Sequence, residues 1–573
     1  MTTTQKTGGQ LVVDMLRSLG VEYVYGVVGG QTLAITDAII DAPDIEFIHT
    51  RHENAAAVMM DAYGRLTGKP AACISTTGPG ATNLITGVGG AYRDSSPGFV
   101  ITCNNNGENI HKDDAQNADH VELIKPLVKY SRLVAHASSI KQAMEEAYIN
   151  AVTGNPGPVH LDFARDTIEG TVEDPPAVPT VHPSRSWVSE RPSTNPVALA
   201  RVTETVLDAE RPVIWLGNGG NRAHASEEVL VLAEALALPV VTTFNGIGAV
   251  PTTHPLVFGA VSRMGTALSQ RILEESDLVL ALGNSLNAVS TGRWKLKLPQ
   301  VVQVDVDPTM IGRYYSELTD GLVADLGSFS RDLLVAVGSR AEQAKASRRQ
   351  WIHDLTAARN TWWEHSTPAE ENPKSPLSPA DVVRALREVS PEDTLLIPDA
   401  GNPGVWSFLW DITQPGTYMK PVGFGNMGFA LPSAIATTLV DPERPILALI
   451  GDGSLGMSLG ELETLARVGG NVCIVVLNDA SYGNIRQEQE LHFDGRTIGV
   501  DFDPVNFGIV AQGMGVAGEV IGNLSDLRRR VEESFGAKKP VVLDVPIDRD
   551  ANAWTYPAFV KKETTIPDLV EQK

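Results

Sequence analysis

Three α/β domains, each a doubly wound parallel sheet, are what this sequence predicts. Three observations carry that prediction. Short β-branched runs alternate with helix-length amphipathic segments along the whole chain, two proline-rich stretches interrupt the alternation, and 573 residues exceed one core at about 150 residues per domain. The first interruption, residues 171–196 (TVEDPPAVPTVHPSRSWVSERPSTNP), removes backbone donors at each proline and reads as a linker. The second, residues 366–379 (STPAEENPKSPLSP), follows a charged helical segment around residues 348–363. The expected units are 1–180, 195–350 and 375–555, with a tail over 556–573.

In the first unit the strand candidates are residues 23–26, 72–76 and 99–103; in the middle unit, 213–217, 278–283 and 301–306. The last unit offers 395–399, 446–450, 472–477 and 541–545. Ligands of open α/β sheets bind beyond the carboxyl ends of the strands, so the residues that follow these runs are where chemistry is expected.

Composition removes several classes of function. A hydrophobic share of 43% with 20% charged residues is that of a globular protein. The formal net charge of −23 repels nucleic acid and anionic membranes, and no apolar run reaches the roughly eighteen residues of a membrane span. Neither is therefore an expected partner. Cys73, Cys103 and Cys473 lie in strand-like runs without CxxC spacing, and the N-terminus lacks an apolar leader, so a reducing cytoplasm is expected.

Chemistry concentrates in residues 446–484, ILALIGDGSLGMSLGELETLARVGGNVCIVVLNDASYGN. One buried strand delivers Gly451-Asp452-Gly453 to a loop, a helix through residues 461–467 follows, and a second strand delivers Asn478-Asp479 to the same sheet edge. Adjacent parallel strands would set Asp452 beside Asp479. Hard carboxylate oxygens, with a main-chain carbonyl near Ser481 and water or phosphate oxygens, suit octahedral Mg²⁺. The glycines let backbone N–H groups approach an anion. A metal bridging protein and diphosphate would also answer the repulsion set by the net charge.

With these motifs the chain resembles the thiamine-diphosphate enzymes, in particular the group of acetohydroxyacid synthase, benzaldehyde lyase and 2-hydroxyacyl-CoA lyase. The family motif is GDG, a spacer of about two dozen residues and an Asn-Asn or Asn-Asp pair. RHENAAAVMMDAYGRLTGKPAACISTTGPGATN, NGIGAVPTTHP, VVQVDVDP and GFGNMGFALPSAIA extend the likeness over nearly the whole chain. The resemblance implies a pyrimidine-binding first domain, a Rossmann-like middle domain and a diphosphate-binding last domain. It implies that Glu53 hydrogen-bonds the aminopyrimidine N1′ and so activates the 4′ nitrogen to remove the thiazolium C2 proton. Gly425 would accept from the 4′-amino group and Met427 would wedge beneath the bent cofactor. Asn402, Gly453, Ser454 and Tyr482 would line the diphosphate side, with Asp452, Asp479 and Ser481 at the metal. Gln116 would lie at the substrate end, and His52 would serve packing and hydrogen bonding. Arg486 would meet a substrate carboxylate or stand as a solvated charge.

For the middle domain the resemblance implies an FAD or ADP site near residues 217–220 (GNGG), with Asp305 and Asp325 at a ribose or ring, or else a purely structural domain. The reaction implied is cleavage or formation of a C–C bond on a 2-oxo acid or 2-hydroxy carbonyl compound, acetolactate-synthase-like. Lyase action on a 2-hydroxy ketone or 2-hydroxyacyl-CoA is the alternative, and a non-catalytic homologue the remote one. A homodimer or homotetramer with active sites between chains is implied as well.

Overall fold

The computed structural model describes residues 5–173, 190–261, 265–366, 376–556 and 559. The first domain holds β1 (Gln5–Thr7), β2 (Tyr23–Gly26), β3 (Glu46–His49), β4 (Ala71–Ser75), β5 (Gly98–Asn104), β6 (Ser131–Val134), β7 (Pro158–Ala164) and β8 (Thr171–Glu173). Six of these form a parallel sheet in the order β3-β2-β4-β5-β7-β6, while β1 pairs antiparallel with β8. The middle domain holds β9 (Pro212–Leu216), β10 (Val240–Thr243), β11 (Val257–Val261), β12 (Leu278–Leu282), β13 (Gln300–Asp305) and β14 (Asp320–Val323). Their order is β11-β10-β9-β12-β13-β14, all parallel. The last holds β15 (Leu395–Pro398), β16 (Ile446–Gly451), β17 (Val472–Asn478), β18 (Ala517–Val520) and β19 (Val541–Pro546), ordered β15-β16-β17-β19-β18 and again parallel.

The central strands are buried on both faces. Every residue of β5 and β7 is buried, which is why these runs read as continuous rather than alternating hydrophobic segments. All expected strands are present, with ends moved by a residue or so.

Two expectations need correction. The first linker stretch begins as structure: Thr171–Glu173 pairs with the N-terminal strand before residues 174–189, which lie outside the described ones. Pro196 likewise opens the helix Pro196–Asp208, where its missing N–H costs nothing. Of the second stretch, residues 367–375 lie outside the described ones, and Pro379 opens the helix Pro379–Val389. Nor does one helix run from the GDG turn. Asp452–Ser458 is helical, a break follows, and Glu461–Val468 is a second helix. The break falls at Gly460, where an added Cβ would lie 3.1 Å from Arg51 Cβ of the first domain.

The cores are shared between domains. Ala56, Met60 and Val88 of the first domain cluster with Phe429, Leu431 and Ala448 of the last. Trp215 and Phe258 of the middle domain cluster with Trp406 and Leu447 of the last. The last domain is thus the hub on which both others pack. The helix Glu53–Thr67 shows how: residues 55–64 are all buried, and near its end Arg65 pairs with Asp61 and Asp94 (2.7 Å each) while donating to the Lys420 carbonyl.

Candidate functional site

The β16/β17 register aligns Gly451 with Leu477, so the loops after both strands emerge side by side. The Ser481 N–H donates to Asp452 Oδ2 (3.2 Å) and to Asp479 Oδ1 (3.1 Å), bridging the two carboxylates, and the Gly453 N–H donates to Asp452 Oδ1 at 2.8 Å. Burial, reinforced by Asp479, pushes the Asp452 carboxyl up to about 7, and burial raises Asp479 too. Two like charges out of water are costly unless a cation lies between them. The Ser481 hydroxyl is buried without a well-aligned partner, which leaves one more oxygen at the same place. Among the described residues no three His, Cys, Asp or Glu side chains gather as a metal cage. Two carboxylates plus main-chain and phosphate oxygens match the preference of Mg²⁺ for few protein ligands. Arg549 fixes the loop by donating to the Asp479 and Ala480 carbonyls (3.1 and 2.8 Å).

The neighbouring surface is built from expected residues. Asn402 Oδ1 accepts from Asn484 Nδ2 at 3.1 Å, and a Cβ on Gly483 would fall 2.4 Å from Asp479 Oδ2. The Tyr482 ring covers Gly453 and meets Phe502 edge-on at 4.5 Å. Gly425 (φ 71°) and Gly428 (φ 74°) flank a half-buried Met427, and the space beside Gly425 is open. Asp399, at the end of β15, organises this segment and was not singled out by sequence. Its carboxylate accepts from Gly428 N (3.1 Å), Ala430 N (2.8 Å) and Ala400 N (2.7 Å). Burial pushes it up to about 6 against those bonds and the nearby Ser454 hydroxyl. An acidic residue closing an apolar strand run was the available signal.

Glu53 lies at a second corner, where the loops after β2, β3, β4 and β5 converge. It is the first residue of its helix, and its Oε2 accepts from Asn83 Nδ2 at 3.0 Å. His52 caps that helix through Nδ1, which accepts from Asn54 N. Gln116 is not helical. It sits in a turn with φ 58°, its side chain exposed, and its carbonyl accepts from Thr77 Oγ1. The adjoining Gly78 is so close that a Cβ would come 2.2 Å from the Gln116 oxygen. A buried pair holds this turn: His120 Nε2 accepts from Gly78 N (3.0 Å), so its Nδ1 carries the proton to Asp162 (2.9 Å). Neither residue stood out in the sequence, because a His and an Asp 42 positions apart carry no local pattern.

Other candidates are engaged elsewhere. Arg486 lies 3.1 Å from Glu490, 3.5 Å from Asp501 and 3.8 Å from Asp550, so it is not a lone solvated charge. Asp305 accepts from Asp307 N, and Asp325 caps a helix through Ser328 N while pairing with Arg191. Residues 217–220 pack shut on one side: Cβ atoms on Gly217 and Gly219 would lie 2.2 and 2.5 Å from Gly283. Their other side opens on a cavity of about 310 Å³ between the three domains, lined by Arg65, Asn218, Arg222, Phe244, Lys420 and Arg444. Lys420 is buried there, its Nζ 3.4 Å from the Phe244 ring centre and donating to the Gly404 carbonyl, and burial drives its pKa well down.

Three parallel α/β sheets with paired strand-end aspartates in the last define the class, and comparison with known proteins agrees. Family models for the thiamine pyrophosphate enzyme match in order: the N-terminal TPP binding domain at 6–123, the central domain at 199–333 and the C-terminal TPP binding domain at 399–545. The chain belongs to the thiamine pyrophosphate enzyme family. It is 30% identical to the acetolactate synthase large subunit of Haemophilus influenzae over 97% of this chain and 96% of that protein. It is 30% identical to the probable acetolactate synthase large subunit of Methanocaldococcus jannaschii over 94% and 92%. Against the isozyme 1 large subunit of Escherichia coli the identity is 29%, over 96% of each chain.

Proposed function

We propose that this chain is an acetolactate-synthase-like enzyme, which decarboxylates a 2-oxo acid and joins the remaining acyl unit to a second carbonyl compound. The observation that carries the reading is the buried Asp452–Asp479 pair bridged by the Ser481 N–H, in a chain collinear with acetolactate synthase large subunits. Bound thiamine diphosphate supplies a thiazolium carbon that adds to a carbonyl and accepts the electrons released when a bond to that carbon breaks.

The protein's part is to bind, orient and move protons. Asp452, Asp479 and an oxygen of Ser481 would hold Mg²⁺, and Asn402, Gly453, Ser454 and Tyr482 would contact the diphosphate. Glu53 would hold a proton at the aminopyrimidine N1′, the Gly425 carbonyl would accept from the 4′-amino group, and Met427 would support the ring. Gln116 would face substrate from the turn held by His120. An FAD or ADP-type nucleotide is the proposal for the middle domain, supported by the 310 Å³ cavity beside Asn218 and Arg222. The domain limits proposed are 1–180, 195–350 and 375–555. A reducing cytoplasm accords with three buried, unpaired cysteines.

Exposed Met457, Ile485, Leu491, Phe493 and Phe424 around the last domain's site support self-association that completes each site between two chains. Co-expressed Glu53→Gln and Asp452→Ala chains test this: mixed oligomers regain activity if a site draws on both chains, and stay inactive if each chain is self-sufficient. The function itself is tested by supplying pyruvate with Mg²⁺ and thiamine diphosphate. CO₂ release with an acetolactate product is expected, whereas aldehyde release from a 2-hydroxy ketone without pyruvate consumption would overturn the reading.

A further inference from the structure

Glu461 opens the helix Glu461–Val468 and is 1% exposed. Its Oε1 accepts from the backbone N–H groups of Arg51 (2.9 Å) and His52 (3.1 Å), and its Oε2 accepts from the Thr464 hydroxyl at 2.6 Å. Three donors satisfy the carboxylate and explain how it tolerates burial. The contact is continuous on either side. Gly460 meets the Arg51 side chain, and Arg467 donates to the His49 carbonyl at 2.7 Å. The last domain therefore grips the connection between β3 and the Glu53–Thr67 helix along its length, and Glu53 is the next residue in the chain.

Docking two domains does not call for a buried acid, since an apolar contact would join them with less desolvation cost. What the acid adds is direction. One oxygen fixes two successive peptide N–H groups, and His52, extended at φ −149° and ψ 141°, passes that orientation straight to the helix start. Glu53 is thus held at its tip by Asn83 and at its root by Glu461. The same stretch of chain that supplies Glu461 begins nine residues earlier with Asp452.

We propose that Glu461 is a positioning residue for Glu53, setting the orientation of that carboxylate through the Arg51 and His52 amides. The proposal rests on the thiamine reading above. Its test uses the full-length protein loaded with thiamine diphosphate and Mg²⁺, and follows the exchange of the cofactor's C2 proton for deuterium, alongside cofactor affinity by calorimetry. Glu461→Ala is expected to slow the exchange by at least about tenfold, the scale of a sub-ångström misplacement, with cofactor affinity close to the parent's. Glu461→Gln keeps an oxygen for the two amides and an NH₂ group for Thr464, and is expected to recover most of the rate. In cofactor-free protein, the Arg51 and His52 amides should lose protection from hydrogen exchange in the alanine variant only. Parental C2 exchange in Glu461→Ala overturns the proposal, as does an equal loss in both variants accompanied by lost cofactor affinity. A parent that exchanges C2 no faster than free cofactor instead overturns the thiamine reading, so the two failures are distinct.

Discussion

The middle and last domains each deliver a glycine-rich loop from the carboxyl end of a buried parallel strand, yet the glycines serve different ends. After β9, Gly217 and Gly219 are required because the Gly283 backbone presses against them. After β16, Gly451 has nothing nearer to its Cβ position than Pro403 at 3.6 Å, and Gly453 faces the Tyr482 and Phe502 rings rather than backbone. The first loop closes a joint between two strands; the second leaves room beside the Asp452–Asp479 pair, whose carboxylates accept from the Gly453 and Ser481 N–H groups. A glycine run after a strand marks close approach, and only its neighbours decide whether another backbone or an anion approaches.

Substitutions at the two loops separate these roles most sharply at the acid pair. Asp452→Ala removes half of the carboxylate pair, and kcat/KM should fall by more than about a hundredfold, with calorimetry showing no cofactor uptake in Mg²⁺. Retained uptake would place the metal elsewhere. Next in size, Gly219→Ala should destabilise the protein by about 1–3 kcal/mol in denaturant titrations, because the Gly283 backbone must move, and leave thiamine diphosphate affinity intact. Gly453→Ala should do the reverse, weakening cofactor affinity while the Tyr482 ring swings aside and stability holds.

A pH series sharpens the contrast further. Asp452 is pushed up to about 7, above the ordinary carboxylate value, so between those two values the folded apo protein binds more protons at this site than the unfolded chain. This site's contribution to apo stability therefore rises as pH falls from 8 through 7 and flattens below the ordinary value. Scanning calorimetry should show Asp452→Asn shifting the apo melting temperature upward at pH 8, and by roughly half as much at pH 5.5. Mg²⁺ with thiamine diphosphate should cancel the parent's penalty at pH 8. The smallest effect belongs to the middle domain: Asp325→Ala loses a helix cap, costing about 1 kcal/mol, without changing cofactor affinity.

Much of the last domain is legible in the sequence. Strand runs buried on both faces carry a continuous hydrophobic signal, and GDG and Asn-Asp each close one, so Asp452 and Asp479 could be paired from order alone. The turn that holds Gln116 is not legible in sequence, because its positive φ is fixed by contacts with Thr77 and Gly78, almost forty residues away. Asn83, His120 and Glu461 act through partners 30 to 410 residues away and have no spacing to betray them.

Hydrophobic period, turn residues and the order of motifs thus determine the three sheets, their parallel sense and the Asp452–Asp479 pair, since all of these depend on near neighbours or adjacent strands. Packing of whole domains decides the rest. The break at Gly460, the shared cores and the grip of Glu461 on the peptide before Glu53 arise only when surfaces from distant parts of the chain come within hydrogen-bonding range.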